Sequence, residues 1–201
     1  MDRDKMSGLS NELLNQITNI GAKNAALVLT KMTGIEIEVN FPDMHKVKIE
    51  NLFQADDFKD KLVSFVFCRI KGDVDGIASL VLPGRSIMTV LKAFFGRNPQ
   101  SLDELEEIDF SGIKEIGNII IGSFLNALSN EYGITVMPSI PDVAVDYVDS
   151  IFEDFSLMLI DQNIDELVSL RTQLIANGQA KINFGSLLIL FDPGQDMPNL
   201  T

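Results

Sequence analysis

An α+β fold is the expectation for this chain: helices packed on a mostly antiparallel sheet, built from two αβ units related by a pseudo-two-fold axis. Three observations predict it. Helical apolar periodicity alternates with β-rich runs, the later strands come in hairpin-spaced pairs, and the second half of the chain repeats the first. Gly34 and Gly133 lie 99 positions apart (133 − 34 = 99), as do Asn19 and Asn118, Ile35 and Ile134, Pro42 and Pro141, and Asp43 and Asp142. Leu62-Val63-Ser64 then matches Leu167-Val168-Ser169 at an offset of 105, implying a six-residue insertion (105 − 99 = 6), and Gly76-to-Pro83 echoes Gly185-to-Pro193. A period near 100 residues is too long for a solenoid unit. The expected organisation is one domain over residues 1–201, internally duplicated as repeats at about 8–98 and 101–195, with Arg97-Asn98-Pro99-Gln100 as the central linker.

In chain order, Leu13, Leu14, Ile17, Ile20, Ala25, Leu27, Val28 and Met32 predict a helix closed by Thr33-Gly34. Ile35 to Phe41 alternates apolar and polar residues, which predicts a half-buried strand ending at Pro42. Residues 43–61 are charged and mixed and read as a loop with a short structured piece, with His45 on the surface. Leu62–Lys71 and Gly76–Leu82 form a strand pair around Gly72-Asp73. Ser86 to Phe95 is a short helix with Ser86 as N-cap and Gly96 as stop. Ser101-Leu102-Asp103-Glu104 has the capping-box pattern and opens a long helix, or a lead-in to it, that stops at Tyr132-Gly133. The acidic run Leu102 to Ile108 reads as a solvated face. Extended residues follow to Pro141, the stretch Asp142–Phe155 has no clear pattern, and Leu167–Ala176 and Ile182–Phe191 flank an Asn177-Gly178 hairpin turn.

Composition excludes several classes of function. The net charge of −13 repels nucleic acid and anionic membrane surfaces, and no Lys/Arg cluster overrides it. No apolar run reaches the roughly 20 residues of a membrane span, and the N-terminus has no apolar leader, so a cytoplasmic chain is expected. The single cysteine, Cys68, sits in an apolar run and reads as a core residue; with one cysteine and one histidine, thiol metal sites and His-based triads lack parts. No phosphate-binding glycine loop is present. Asp56-Asp57, Asp73 and Asp75 read as acidic loop residues, since a phosphoacceptor of the receiver type needs a parallel α/β chain.

The long second-half helix carries the candidate site. Ser111, Glu115 and Asn118 recur at i, i+4 and i+7 and form one narrow polar stripe. Around them stand Ile113, Ile116, Gly117, Ile119, Ile120, Ile121 and Gly122, so the polar stripe is sparse for an ordinary solvated surface. Taken alone such a stripe reads as a solvated helix face or as a partner-facing one, and its periodicity does not decide between them. Gly117 and Gly122 either admit a partner's backbone or serve internal packing. The spacing continues for 22 residues to Pro141, which reads as architectural. The first half repeats it as Glu12, Gln16, Asn19 and Pro42.

At these residues the chain resembles the CheC-type chemotaxis phosphatases (the CheC/CheX/FliY family). Their pattern is Asp or Ser, three residues, Glu, two residues, Asn, 22 residues, Pro, and Ser111–Pro141 fits it throughout. KEIGNIIIGSFLNALS and the first-half NIGAKNAA also resemble the family, and two copies in one chain resemble its CheC branch most. The resemblance implies hydrolysis of the phosphoaspartate of a response-regulator receiver domain, CheY-P in chemotaxis. Asn118 would orient the attacking water, Glu115 would dock on the receiver's lysine, and Ser111 would contact the partner or support the helix surface. No cofactor or metal is implied on this chain, because the receiver supplies Mg²⁺. The receptor deamidase CheD is a further partner type, and a monomer is expected because one chain holds both halves of a pseudo-dimer. The first set departs from the pattern: Glu12 replaces Asp/Ser and Gln16 replaces Glu, so this second site, with Asn19, is expected to be weak or vestigial. The alternative is an adaptor that binds a receiver domain or CheD with little or no catalysis.

Overall fold

The computed structural model describes residues 11–48, 62–160, 166–176 and 181–191. Helix α1 (Asn11–Thr33) leads into strand β1 (Ile37–Lys48), then β2 (Leu62–Gly72), β3 (Gly76–Pro83) and helix α2 (Gly84–Phe95). After a 3-10 turn at Leu102–Glu104 come helix α3 (Glu107–Tyr132), β4 (Val136–Pro138), β5 (Asp142–Tyr147), helix α4 (Val148–Ile160), β6 (Glu166–Ala176) and β7 (Lys181–Phe191). All seven strands form one sheet in the order β1-β6-β7-β3-β2-β4, with β5 also on β2, and every pairing is antiparallel. The predicted α+β architecture is therefore what the chain adopts.

The sheet is buried from both sides. Helices α1, α2 and α3 pack on one face through Ile17, Ala25, Leu29, Ile87, Leu91, Ile113, Ile116 and Ile120, against Val66, Cys68, Ile70, Leu80 and Leu174 of the strands. Helix α4 covers the other face through Val148, Ile151 and Phe155 against Val63, Phe65, Val81 and Leu188, with Phe155 edge-on to Phe65 at 5.1 Å. A strand covered on both faces needs apolar residues at successive positions, which is why Leu62–Ile70 reads as a near-continuous apolar run. Cys68 is a core residue, 2% exposed, and burial pushes its thiol up to about 11.

Strands from the two halves interleave in the sheet, with β6 and β7 of the second half between β1 and β3 of the first, and their pairing registers correspond. Asp43 of β1 faces Arg171 of β6, and Asp142 of β5 faces Phe67 of β2. The helix-proximal parts are thus 99 positions apart (142 − 43 = 99), and their partner strands 104 apart (171 − 67 = 104), one less than the sequence match suggests. Gly76 pairs with Phe191 while Gly185 crosses Val81, so the glycine echo does not mark facing positions.

Several local expectations are corrected. Strand β1 does not end at Pro42: it continues to Lys48, with an irregular register between Asn40 and Asp43. Two residues there oppose one on β6, a bulge that removes the need for the proline's missing N–H. Pro141 lies at the matching break between β4 and β5, where the Ser139 N–H donates to the Arg69 carbonyl at 2.8 Å before pairing resumes at Asp142. Ser139 replaces nothing in β1 but its counterpart, Asn40, also precedes the break. His45 lies within β1 opposite Ser169, not in a loop. Ser86 is buried inside α2, which starts at Gly84 after Pro83. The stretch after Pro141 forms β5 and α4. Asn177-Gly178 and Asp56-Asp57 fall outside the described residues.

Candidate functional site

The candidate site stands on α3, and the start of that helix is fixed from the side. Ser101 caps nothing; the capping box is Glu106 with Asp109. The Arg97 guanidinium donates to Asp109 at 2.9 Å (Nε to Oδ1) and 3.1 Å (Nη2 to Oδ2), and to Glu106 Oε2 at 2.6 Å. Asp109 Oδ2 also accepts the Glu106 N–H at 3.0 Å. Asp109 is 1% exposed, and the Arg97 guanidinium holds its carboxyl below the usual carboxylate range. The acidic run before the helix is exposed, as a solvated face should be, and Glu106 at its end also joins this clamp. The Glu106-x-x-Asp109 spacing carried that signal, but Ser101-x-x-Glu104 competes with it locally. At the other end Gly133 adopts φ 64°, and its N–H caps the Ser129 carbonyl.

Between these ends α3 is buried on nearly all sides. Gly117 has no room for a side chain, since a Cβ there would meet Val66 at 2.6 Å. That glycine lets the helix lie against β2. Gly122 has nothing within 4 Å of its would-be Cβ and is half-exposed. Of the two glycines, then, Gly117 serves internal packing and Gly122 lies open on the surface. Gly112 is filled from outside by the Phe95 ring, 2.9 Å from its would-be Cβ.

Ser111, Glu115 and Asn118 are all exposed on the remaining face, in line with Gly122. None of the three makes a hydrogen bond or ion pair among the described residues. The structure therefore brings the stripe together as one outward-facing row of unengaged polar groups, held by a rigid buried helix. A carboxylate one turn from a carboxamide can grip a cation and hold a small polar molecule beside it.

The first-half counterpart differs. Gln16 and Asn19 are exposed on α1, while the side chain of Glu12 lies outside the described residues. Gln16 Nε2 donates to Glu131 Oε2 of α3 at 2.5 Å. Helices α1 and α3 run antiparallel, and Gly21 sits against the Phe124 backbone with only 3.1 Å from a would-be Cβ to Phe124 Cα. The position matching Glu131 on α1 is Met32 (131 − 99 = 32), which offers Glu115 no such bond.

Two further acidic residues have structural partners. Asp73 accepts the Thr135 N–H at 2.7 Å, and Asp75 pairs with Lys71. Among the described residues no three His, Cys, Asp or Glu side chains are grouped to hold a metal ion. None of their helices is long and apolar enough to cross a membrane.

A paired-helix layer on an antiparallel sheet, with this stripe on one helix, resembles the arrangement of CheC-like proteins. The CheC-like family model matches residues 111–145, the segment from Ser111 through the start of β5. The CheY-P phosphatase CheC of Bacillus subtilis (strain 168) is 25% identical over 153 residues, covering 75% of this chain and 73% of that protein. Among solved structures, Thermotoga maritima FliY superimposes with a TM-score of 0.70 at 21% identity, over 90% of this chain and 88% of that one. The FliM middle domain of Vibrio alginolyticus gives 0.62 at 15% identity, over 90% of this chain and 94% of that one. At these identities the two structures speak for the fold. The family resemblance read from the sequence is borne out.

Proposed function

We propose that this protein hydrolyses the phosphoaspartate of a CheY-type receiver domain, with Asn118 as the catalytic residue and Glu115 docking on the partner. The observation that carries this reading is the outward row Ser111, Glu115, Asn118, unengaged on a helix fixed at both ends. In the reaction a water oxygen attacks phosphorus, the bond to the aspartyl oxygen breaks, and inorganic phosphate and a free carboxylate result. The partner carries the Mg²⁺ and lysine that stabilise charge on the transferring group, so the phosphatase has to place the water. The Asn118 carboxamide hydrogen-bonds that water and holds it in line, which is catalysis by positioning. Glu115, one turn earlier, accepts a charge-assisted hydrogen bond from the receiver's lysine. Ser111 extends the contact one further turn. The name of the Bacillus subtilis relative supports the substrate class.

The same reading takes the chain as one unit of two repeats, supported by matching registers of β1 on β6 and β5 on β2. It takes the protein as a cytoplasmic monomer, with CheD as a further partner and the first-half set of Glu12, Gln16 and Asn19 as weak. The test is the decay of phosphorylated CheY with and without the protein. Accelerated decay is expected. Unchanged decay with detectable binding, not rescued by adding CheD, would mean that the chain is an adaptor.

A further inference from the structure

Nine large hydrophobic side chains stand exposed among the described residues, and five of them flank the N-terminal half of α3: Leu27, Val28, Met32, Phe95 and Ile108. Phe95 packs its ring edge on Gly112, and Ile108 lies one turn before Gly112 on the same side of the helix. The placement of the other three follows from the antiparallel crossing, anchored by Gly21 on Phe124 and by Gln16 on Glu131. Six residues along each helix from the first anchor brings Leu27 level with Asn118, and Met32 comes level with the turn holding Ile113.

We propose that these five side chains are an apolar docking rim for the phosphorylated receiver domain, seated by the same encounter that brings its acyl phosphate to Asn118. The inference rests on the catalytic reading above and names the partner's remaining footprint. Two observations commit the rim to that occupant. A stable protein contact covers roughly 800 Å² on each side, a disc of about 16 Å radius. Packed helices lie about 8–10 Å apart, so a folded domain within hydrogen-bond reach of Asn118 also covers the crest of α1 and the Phe95 turn. Secondly, the three apolar positions on α1 have no exposed apolar counterpart on α3. The counterparts of Leu27 and Met32 beside the first-half set are Asn126 and Glu131, both exposed and polar, and that of Val28 is the buried Ala127. The acidic residues Glu106, Glu107 and Glu115 edge the rim, so the partner surface that fits it is apolar beside the phosphorylated carboxylate and basic at its margin.

The experiment uses the full chain with Leu27→Ser/Met32→Ser, Ile108→Ser and, as a control on the other face of the sheet, Leu157→Ser on α4, each checked for an unchanged thermal midpoint. Hydrolysis of a phosphorylated CheY-type receiver is followed as kcat and KM, and binding is measured directly in parallel. The rim variants are expected to raise KM and Kd about tenfold with kcat within twofold, and the control to change neither. Unchanged KM and Kd in both rim variants, with hydrolysis intact, would overturn the rim and leave the role of Asn118 standing. If the unaltered chain hydrolyses nothing, the catalytic reading falls, and the binding arm still decides the rim: weakened binding supports it, unaltered or absent binding overturns it.

Discussion

Helices α1 and α3 cross as near-equivalent partners at Gly21 and Phe124, yet they dispose of their polar rows in opposite ways. On α3 the row Ser111, Glu115, Asn118 faces outward with no partner among the described residues, beside the apolar Leu27 and Met32. On α1 the second member of the row, Gln16, is spent on Glu131 across the helix pair. One repeat uses the position for an internal tie, and the other leaves it open. What distinguishes the engaged row from the open one is therefore the residue on the neighbouring helix as much as the row itself.

The largest expected effect falls on the asparagines. Asn118→Ala should lower the rate of receiver dephosphorylation about 100-fold, the scale at which misplacing a reactant acts, whereas Asn19→Ala should change it less than twofold. A reversed outcome, with Asn19→Ala abolishing the rate and Asn118→Ala sparing it, would assign the activity to α1. Next comes an attempt to reopen the first row. Gln16→Glu alone sets a second carboxylate against Glu131 and should do nothing for activity. Gln16→Glu with Glu131→Met, assayed in an Asn118→Ala background, should recover several-fold of the lost rate if Asn19 then works. No recovery in a folded triple variant would mean that the tie to Glu131 is not what disables α1.

The smallest effect concerns the anchor that α3 has and α1 shows no counterpart of among the described residues. Asp109 is ionised and clamped by Arg97, with its folded pKa lowered mainly by that hydrogen bond. A carboxyl whose folded pKa is depressed stabilises the fold above its unfolded value of about 3.9, and the contribution is lost as pH falls through the folded value. Chemical denaturation should show the stability gap between the unaltered chain and Asp109→Asn open at pH 6 and closing below about pH 4. A gap that stays constant across that range would assign the clamp no ionic role.

The periodic and composition-driven parts of this fold were legible in the sequence. Ser111, Glu115 and Asn118 share a helix face by spacing alone, Gly34 and Gly133 end their helices in left-handed conformations as expected, and the apolar run Leu62–Ile70 is a buried strand. What escaped depends on partners far along the chain. Pro42 reads locally as a strand end, but β1 accommodates it in a bulge opposite β6. Ser101-x-x-Glu104 is the better box on paper, yet the box that forms is Glu106 with Asp109, held by Arg97. Gly117 and Gly122 are indistinguishable in sequence, and only Val66 beneath the first separates their roles. The tie from Gln16 to Glu131 joins residues 115 positions apart, beyond any local pattern.

The interleaved strand order also sets a timetable for folding. Strand β1 has a single neighbour, β6, so its backbone stays unpaired until residues 166–176 have been made. Strands β2 and β3 can close as a hairpin on emergence, but β1 must wait while more than a hundred further residues leave the ribosome. Until then it presents an open edge able to pair with another nascent chain. Glu38 and Asn40 of β1, with Glu36 just before it, are all exposed and keep that waiting strand charged and polar.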